Sequence, residues 1–205
     1  MSELEQFPYL TNKCVQEWVN MSPTYTTLYQ KRNNKNYKEL ALVEKASFGY
    51  LLQNKGVQWS NALGENIVYE ILIGAGFNVN KKPKIIIGDK TFIPDFETDI
   101  AFYEVKTRNY STPGTCGEKI LGTPMKYINI PKTTGKPLFI VLVGFQEYEA
   151  TNMFGLFDSG MSINQREVIN MYSNFGIYYI GASVLWNSVK IIENINIEED
   201  NDDLY

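Results

Sequence analysis

The chain reads as an α/β (α+β) domain in which a mixed central β-sheet is flanked by helices, with a helical extension at the N-terminus. Three observations predict this. Apolar residues recur at helical spacing over 60–75, β-branched and aromatic runs of strand length follow, and helical patterns then alternate with two further strand-like runs. The chain divides accordingly into an extension at 1–60, a core at 61–190 and an acidic tail at 191–205.

In the extension, Leu40, Val43, Ala46, Tyr50 and Leu51 fall at helical spacing, Gly56 offers a stop, and Lys31 to Lys38 reads as an exposed basic loop. Ser60 or Asn61 caps the next helix, whose stripe is Ile67, Val68, Ile71, Leu72 and Ala75, with Gly76 ending it. Strands are expected over 77–87, 91–96 and 98–108, the first two joined by a Gly88-Asp89-Lys90 turn. Thr115-Cys116-Gly117-Glu118 has the spacing of a capping box, and Gly122-Thr123-Pro124 should split the following helix into two short pieces reaching Ile130. Leu138 to Phe145 is apolar almost throughout and suits a central strand covered on both faces. A helix over 164–175 and a strand over 177–186 complete the core. The tail, with six acids and no base, should be disordered.

Composition removes several function classes. No histidine is present, so neither a Ser-His or Cys-His hydrolase nor an ordinary zinc enzyme can be assembled. The cysteines, Cys14 and Cys116, support no disulfide framework, and no run is long and apolar enough for a membrane span. With an acidic rather than basic start at Met1 to Gln6, a cytoplasmic protein is expected. The net charge is −4, but the tail supplies −6, leaving +2 over 1–190. Within that, Lys106, Arg108, Lys119, Lys126, Lys132 and Lys136 face only Glu118 over 105–137, a basic stripe suited to phosphate. A solvated lysine-rich face is the plainer reading of the stripe taken alone.

The chemistry concentrates in Pro94-Asp95 and in Glu104-Val105-Lys106. In a strand Glu104 and Lys106 share a face, and an Asp at the end of the neighbouring strand can converge on them. Two convergent carboxylates make a hard-oxygen site suited to Mg²⁺, and an adjacent ammonium can orient a water. Glu97 and Asp99 compete for the role of Asp95, which is preferred because Pro94 places it at a strand end. Glu65, on the first turns of the preceding helix, either joins the acids or only favours the helix N-terminus. Glu70 reads as a solvated helix position.

This order of helix, meander bearing Pro94, Asp95, Glu104 and Lys106, helix and strand resembles the PD-(D/E)xK nuclease superfamily over residues 60–190, most of all a small type II restriction endonuclease. The segment from Gly114 to Pro124 is similar to a stretch following Glu-x-Lys in some such enzymes. The resemblance implies a restriction-endonuclease-like fold and Mg²⁺-dependent cleavage of double-stranded DNA, with Mn²⁺ able to substitute. Asp95 and Glu104 would bind the metal, Lys106 would contact the attacking water or scissile phosphate, and Glu65 would complete the catalytic set. Arg108, Asn109, Lys119 and Lys126 are the candidate DNA contacts. A homodimer and a cognate DNA methyltransferase are the implied partners. A junction or repair nuclease, or a non-catalytic DNA-binding module of the same fold, are the rival readings. Gly176-Ile177-Tyr178-Tyr179-Ile180-Gly181 fuses the two halves of the GIY-YIG signature, which that family carries on separate strands, so Tyr178 and Tyr179 read as strand residues.

Overall fold

The computed structural model describes residues 6–33, 35–56, 58–112, 116–157 and 160–189, without the side chains of 116–119. Helices α1 (Lys13–Val19), α2 (Pro23–Lys31) and α3 (Tyr37–Ala46) form the extension, and a 3₁₀ turn (Gly49–Leu52) leads to α4 (Trp59–Gly74). Strands β1 (Asn80–Lys81), β2 (Ile85–Ile87), β3 (Lys90–Phe92), β4 (Phe96–Glu97) and β5 (Phe102–Arg108) follow. Then come α5 (Cys116–Tyr127), α6 (Ile130–Thr134), β6 (Leu138–Gly144), α7 (Phe145–Asn152), α8 (Ile163–Asn174) and β7 (Ile177–Gly181). Residues 182–189 are helical.

The central sheet is mixed and five-stranded, in the order β1-β4-β5-β6-β7. The β1–β4 and β4–β5 pairs are antiparallel, while β5–β6 and β6–β7 are parallel. The register sets Glu104 opposite Ile140 and Lys106 opposite Leu142. Odd-numbered β5 residues Tyr103 and Val105 enter one apolar cluster with α1, α4 and Val141. Phe102 enters the other, with Ile140, Leu142, and Ile120 and Tyr127 of α5. The β5 alternation therefore divides the molecule into two cores, and Glu104 lies on the α5 side.

The expected meander breaks at its prolines. Lys82, just before Pro83, takes φ 52, so the first strand stops at Lys81. Strands β2 and β3 form a separate antiparallel hairpin, with Gly88 at φ 63 in its turn. Ile85, Ile87 and Phe92 pack that hairpin over the second core.

Helix α4 starts at Trp59 after Gln58, which makes no side-chain cap bond, so neither Ser60 nor Asn61 caps it. A missing cap costs about 1 kcal/mol. Burial of Ile67, Val68, Ile71 and Leu72 outweighs this, at about 1.5–3 kcal/mol each. The expected stripe in the extension is corrected more sharply, since Val43 and Tyr50 are exposed. Val15, Trp18, Val19, Tyr25 and Phe48 supply the core contacts instead. Glu70 is buried rather than solvated and accepts the backbone N–H groups of Tyr9 and Leu10, each at 2.9 Å.

Pro124 does not split α5, which continues to Tyr127. A proline leaves the carbonyl four residues earlier without its helical donor. Here that carbonyl belongs to Ile120, and the Tyr179 hydroxyl donates to it at 3.0 Å. Tyr179 thus has a structural task in β7. That strand ends at Gly181, and Trp186 belongs to the helical stretch, not to the strand expected over 177–186. Glu147 caps the stretch, accepting Ser183 N–H at 3.1 Å and Ser183 O–H at 2.5 Å. The Thr115 cap position and the tail 191–205 lie outside the described residues.

Glu44 ties the extension to the end of β5. It is fully buried and accepts Trp18 Nε1 at 2.7 Å and Tyr110 N at 2.8 Å on one oxygen. The other oxygen accepts Ser111 N at 3.1 Å and Ser111 Oγ at 2.6 Å. Glu44→Gln turns an NH₂ toward two of these donors. At roughly 1–3 kcal/mol per orphaned donor, it should cost about 2–6 kcal/mol in urea unfolding.

Glu147 generates a pH prediction. Burial pushes its carboxyl up to about 7 from 4.5, against the hydrogen bonds from Ser183 and the Ala182 backbone. A raised folded-state pKa gives stability that is complete below pH 4.5 and is lost as pH rises through 7. Glu147→Gln should flatten the decline of melting temperature over that interval, read by calorimetry at a series of pH values.

Candidate active site

Strand β4 pairs with β5 only through Phe96–Tyr103 and Glu97–Phe102. Pro94 has no N–H to extend the ladder, and the chain turns away there. The Asp95 carboxylate takes over, accepting Val105 N–H through Oδ2 at 2.6 Å. Where the strands part, Asn61, Glu65, Asp95, Glu104, Lys106 and Thr107 line one cleft of about 330 Å³.

Each acid in the cleft already faces a donor. Glu104, 5% exposed, receives Lys106 Nζ on Oε1 at 2.5 Å and the Tyr127 hydroxyl on Oε2 at 2.9 Å. Lys126 Nζ in turn donates to the Tyr127 oxygen at 2.6 Å, so one chain of contacts runs from surface to cleft. Burial first, then the Glu104 charge and hydrogen bond, pushes the Tyr127 phenol well above its ordinary range and keeps its proton in place. On the other side, Lys82 Nζ contacts Glu65 Oε2 at 3.0 Å and pairs with Asp95 Oδ1. Burial works against the Lys82 charge, but bonds and charge from Asp95 and Glu65 outweigh it and raise its pKa.

The structure brings Glu65, Asp95, Glu104 and Lys106 together. Among the described residues no group of three or more Asp, Glu, Cys or His side chains is gathered as a metal cage. The ammonium groups of Lys82 and Lys106 instead lie against the carboxylate oxygens. The donor atoms are all anionic oxygens, which suits a hard cation such as Mg²⁺ and not a soft metal.

The expected DNA contacts fare differently. Arg108 is buried, with Nη1 on Glu149 Oε1 at 3.0 Å and Nη2 on the Thr112 carbonyl at 3.0 Å. This corrects its assignment to DNA, because an internal ion pair already occupies the guanidinium. Asn109 is also buried, and its amide donates to Ser111 Oγ at 3.3 Å. Lys126 is exposed beside the cleft, and the Lys119 side chain lies outside the described residues. Glu97 pairs with Lys136 at 2.9 Å, away from the cleft lining. The basic stripe is thus interrupted by internal pairs.

Two residues that hold the cleft's acids carry no expectation from the sequence. Lys82 belongs to Lys81-Lys82-Pro83, where the proline next to a basic pair signals that the strand breaks near Pro94-Asp95. Tyr127 ends α5 and resembles an ordinary core aromatic, with no local pattern marking it.

Tyr127→Phe removes a hydroxyl donor from a buried carboxylate, which should cost about 1.5–3 kcal/mol in denaturant unfolding. Because this phenol holds its proton, the variant should lose no phenolate absorbance across the alkaline range where exposed tyrosines ionise. Comparison of the chain with protein-family models, with curated proteins and with solved structures finds no match in any of the three.

Proposed function

We propose that the protein is a Mg²⁺-dependent endonuclease that hydrolyses phosphodiester bonds of double-stranded DNA, of the type II restriction kind, with the restriction-endonuclease-like fold its motif order resembles. The observation that carries this reading is the gathering of Glu65, Asp95, Glu104 and Lys106 in one cleft where β4 and β5 part. Asp95 and Glu104 would hold the ion, which supplies positive charge against the scissile phosphate when bound; Mn²⁺ would serve as well. Lys106 donates to the oxygen of the attacking water and leaves its other lone pair free for phosphorus. As that P–O bond forms, the P–O bond to the leaving sugar breaks, the water's proton passes to solvent and the leaving oxygen takes one from solvent. Glu104 holds the Lys106 ammonium in place, and Tyr127 fixes Glu104. Lys126 and Lys119 are the remaining cations for the DNA backbone. A homodimer would match a palindromic duplex site, and a cognate DNA methyltransferase would protect the host's own copies.

Plasmid DNA incubated with the protein and Mg²⁺ should yield discrete fragments. Cleavage confined to branched junctions would move the protein to the repair class, and no cleavage of either would overturn the reading. Asp95→Asn and Glu104→Gln should abolish cutting, while the alanine variants, which also orphan the Val105 N–H and the Tyr127 hydroxyl, should in addition lose about 1–3 kcal/mol of stability. Lys106→Ala should retain metal binding and slow cutting by about 10²–10⁴-fold. Loss of metal affinity in Lys106→Ala equal to that in Glu104→Ala would contradict this division of roles.

A further inference from the structure

Lys82 has no place in the hydrolytic scheme above, yet its backbone and its side chain together hold it against two of the cleft's acids. Its φ of 52 lies in the left-handed region, which costs energy for any side chain but glycine. Its main chain and side chain both dock on Asp95. The Lys82 N–H donates to the Asp95 carbonyl at 2.8 Å, while Nζ bridges the Asp95 carboxylate to Glu65 at 3.0 Å. The Lys82 side chain is 49% exposed, and exposed ion pairs contribute little to stability. Stability alone therefore gives weak reason to hold a lysine in a strained backbone.

Electrostatics gives a better one. Glu65 comes from α4 and Asp95 from the start of β4, and two carboxylates drawn to a common point need a cation between them. Lys106 cannot serve both, because it is paired with Glu104. We propose that the Lys82 ammonium takes the place of a second divalent cation between Glu65 and Asp95, so that the cleft accepts one metal ion fewer than its acids alone would take. The proposal rests on reading the cleft as a metal site, and it makes Lys82 a positioning residue.

The test is Mn²⁺ titration by calorimetry on the parent protein, Lys82→Gly and Lys82→Arg. Glycine takes φ 52 without penalty, which offsets the loss of the half-exposed ion pairs to Glu65 and Asp95, so the neutral variant should still fold. Lys82→Gly should bind one more Mn²⁺ per chain than the parent, whatever the parent's number. Lys82→Arg should keep the parent's number. Adding Glu65→Gln to Lys82→Gly should remove the extra ion. An unchanged number in Lys82→Gly, even with tighter binding, would show that Lys82 merely competes with the metal and would overturn the proposal. An extra ion that survives Glu65→Gln would overturn it as well. Failure to cut DNA would count against the nuclease reading, whereas the Lys82 assignment is read only from the difference between variants.

Discussion

The organisation of the cleft depends on one substitution of partners, in which the Asp95 carboxylate takes the Val105 N–H that a β4 backbone carbonyl would otherwise accept. A strand edge that loses its neighbour leaves a buried donor exposed to penalty. By satisfying that donor, Asp95 lets β4 leave the sheet early, and the opening becomes the cleft. The same side chain also anchors Lys82, so the parting of the strands and the electrostatics of the opening share one residue. Pro94 makes the arrangement one-way, because it cannot return to the ladder.

How far such a site can be read from sequence depends on what positions each residue. Glu104 and Lys106 were legible because strand periodicity alone puts them on one face, and Asp95 because a proline marks the strand end. Glu65 was legible as a candidate only, since its arrival depends on how α4 packs on β5. That packing is close: a Cβ on Gly64 would lie 1.8 Å from Thr107 Oγ1. Arg108 misled because a lone arginine after the motif has the same local signature whether it faces solvent or Glu149. Only the position of α7, far along the chain, decides between the two.

The fold shows the same division. The central strands, the helix over 163–174 and the α4 stripe follow from local pattern, and the mixed five-stranded sheet agrees with the α/β expectation. The errors cluster where a distant hydroxyl or carboxylate compensates a local defect. Tyr179 relieves Pro124 across the second core, and Glu147 caps a helix that sequence reads as strand. No helix among the described residues is long and apolar enough to cross a membrane.

The helical extension has a further consequence. Trp18, Tyr25 and Phe48 sit in the same apolar cluster as Tyr103 and Val105 of the site strand, and Glu44 fastens them to Tyr110 and Ser111. The extension therefore shares one apolar core with β5 and is not an appendage. Exchanging the first 60 residues for an unrelated module would remove part of that core and leave the Tyr110 and Ser111 N–H groups without their acceptor. Substitutions along this seam are therefore coupled across it, since a change in Trp18 or Glu44 is felt by the segment that follows Glu104 and Lys106.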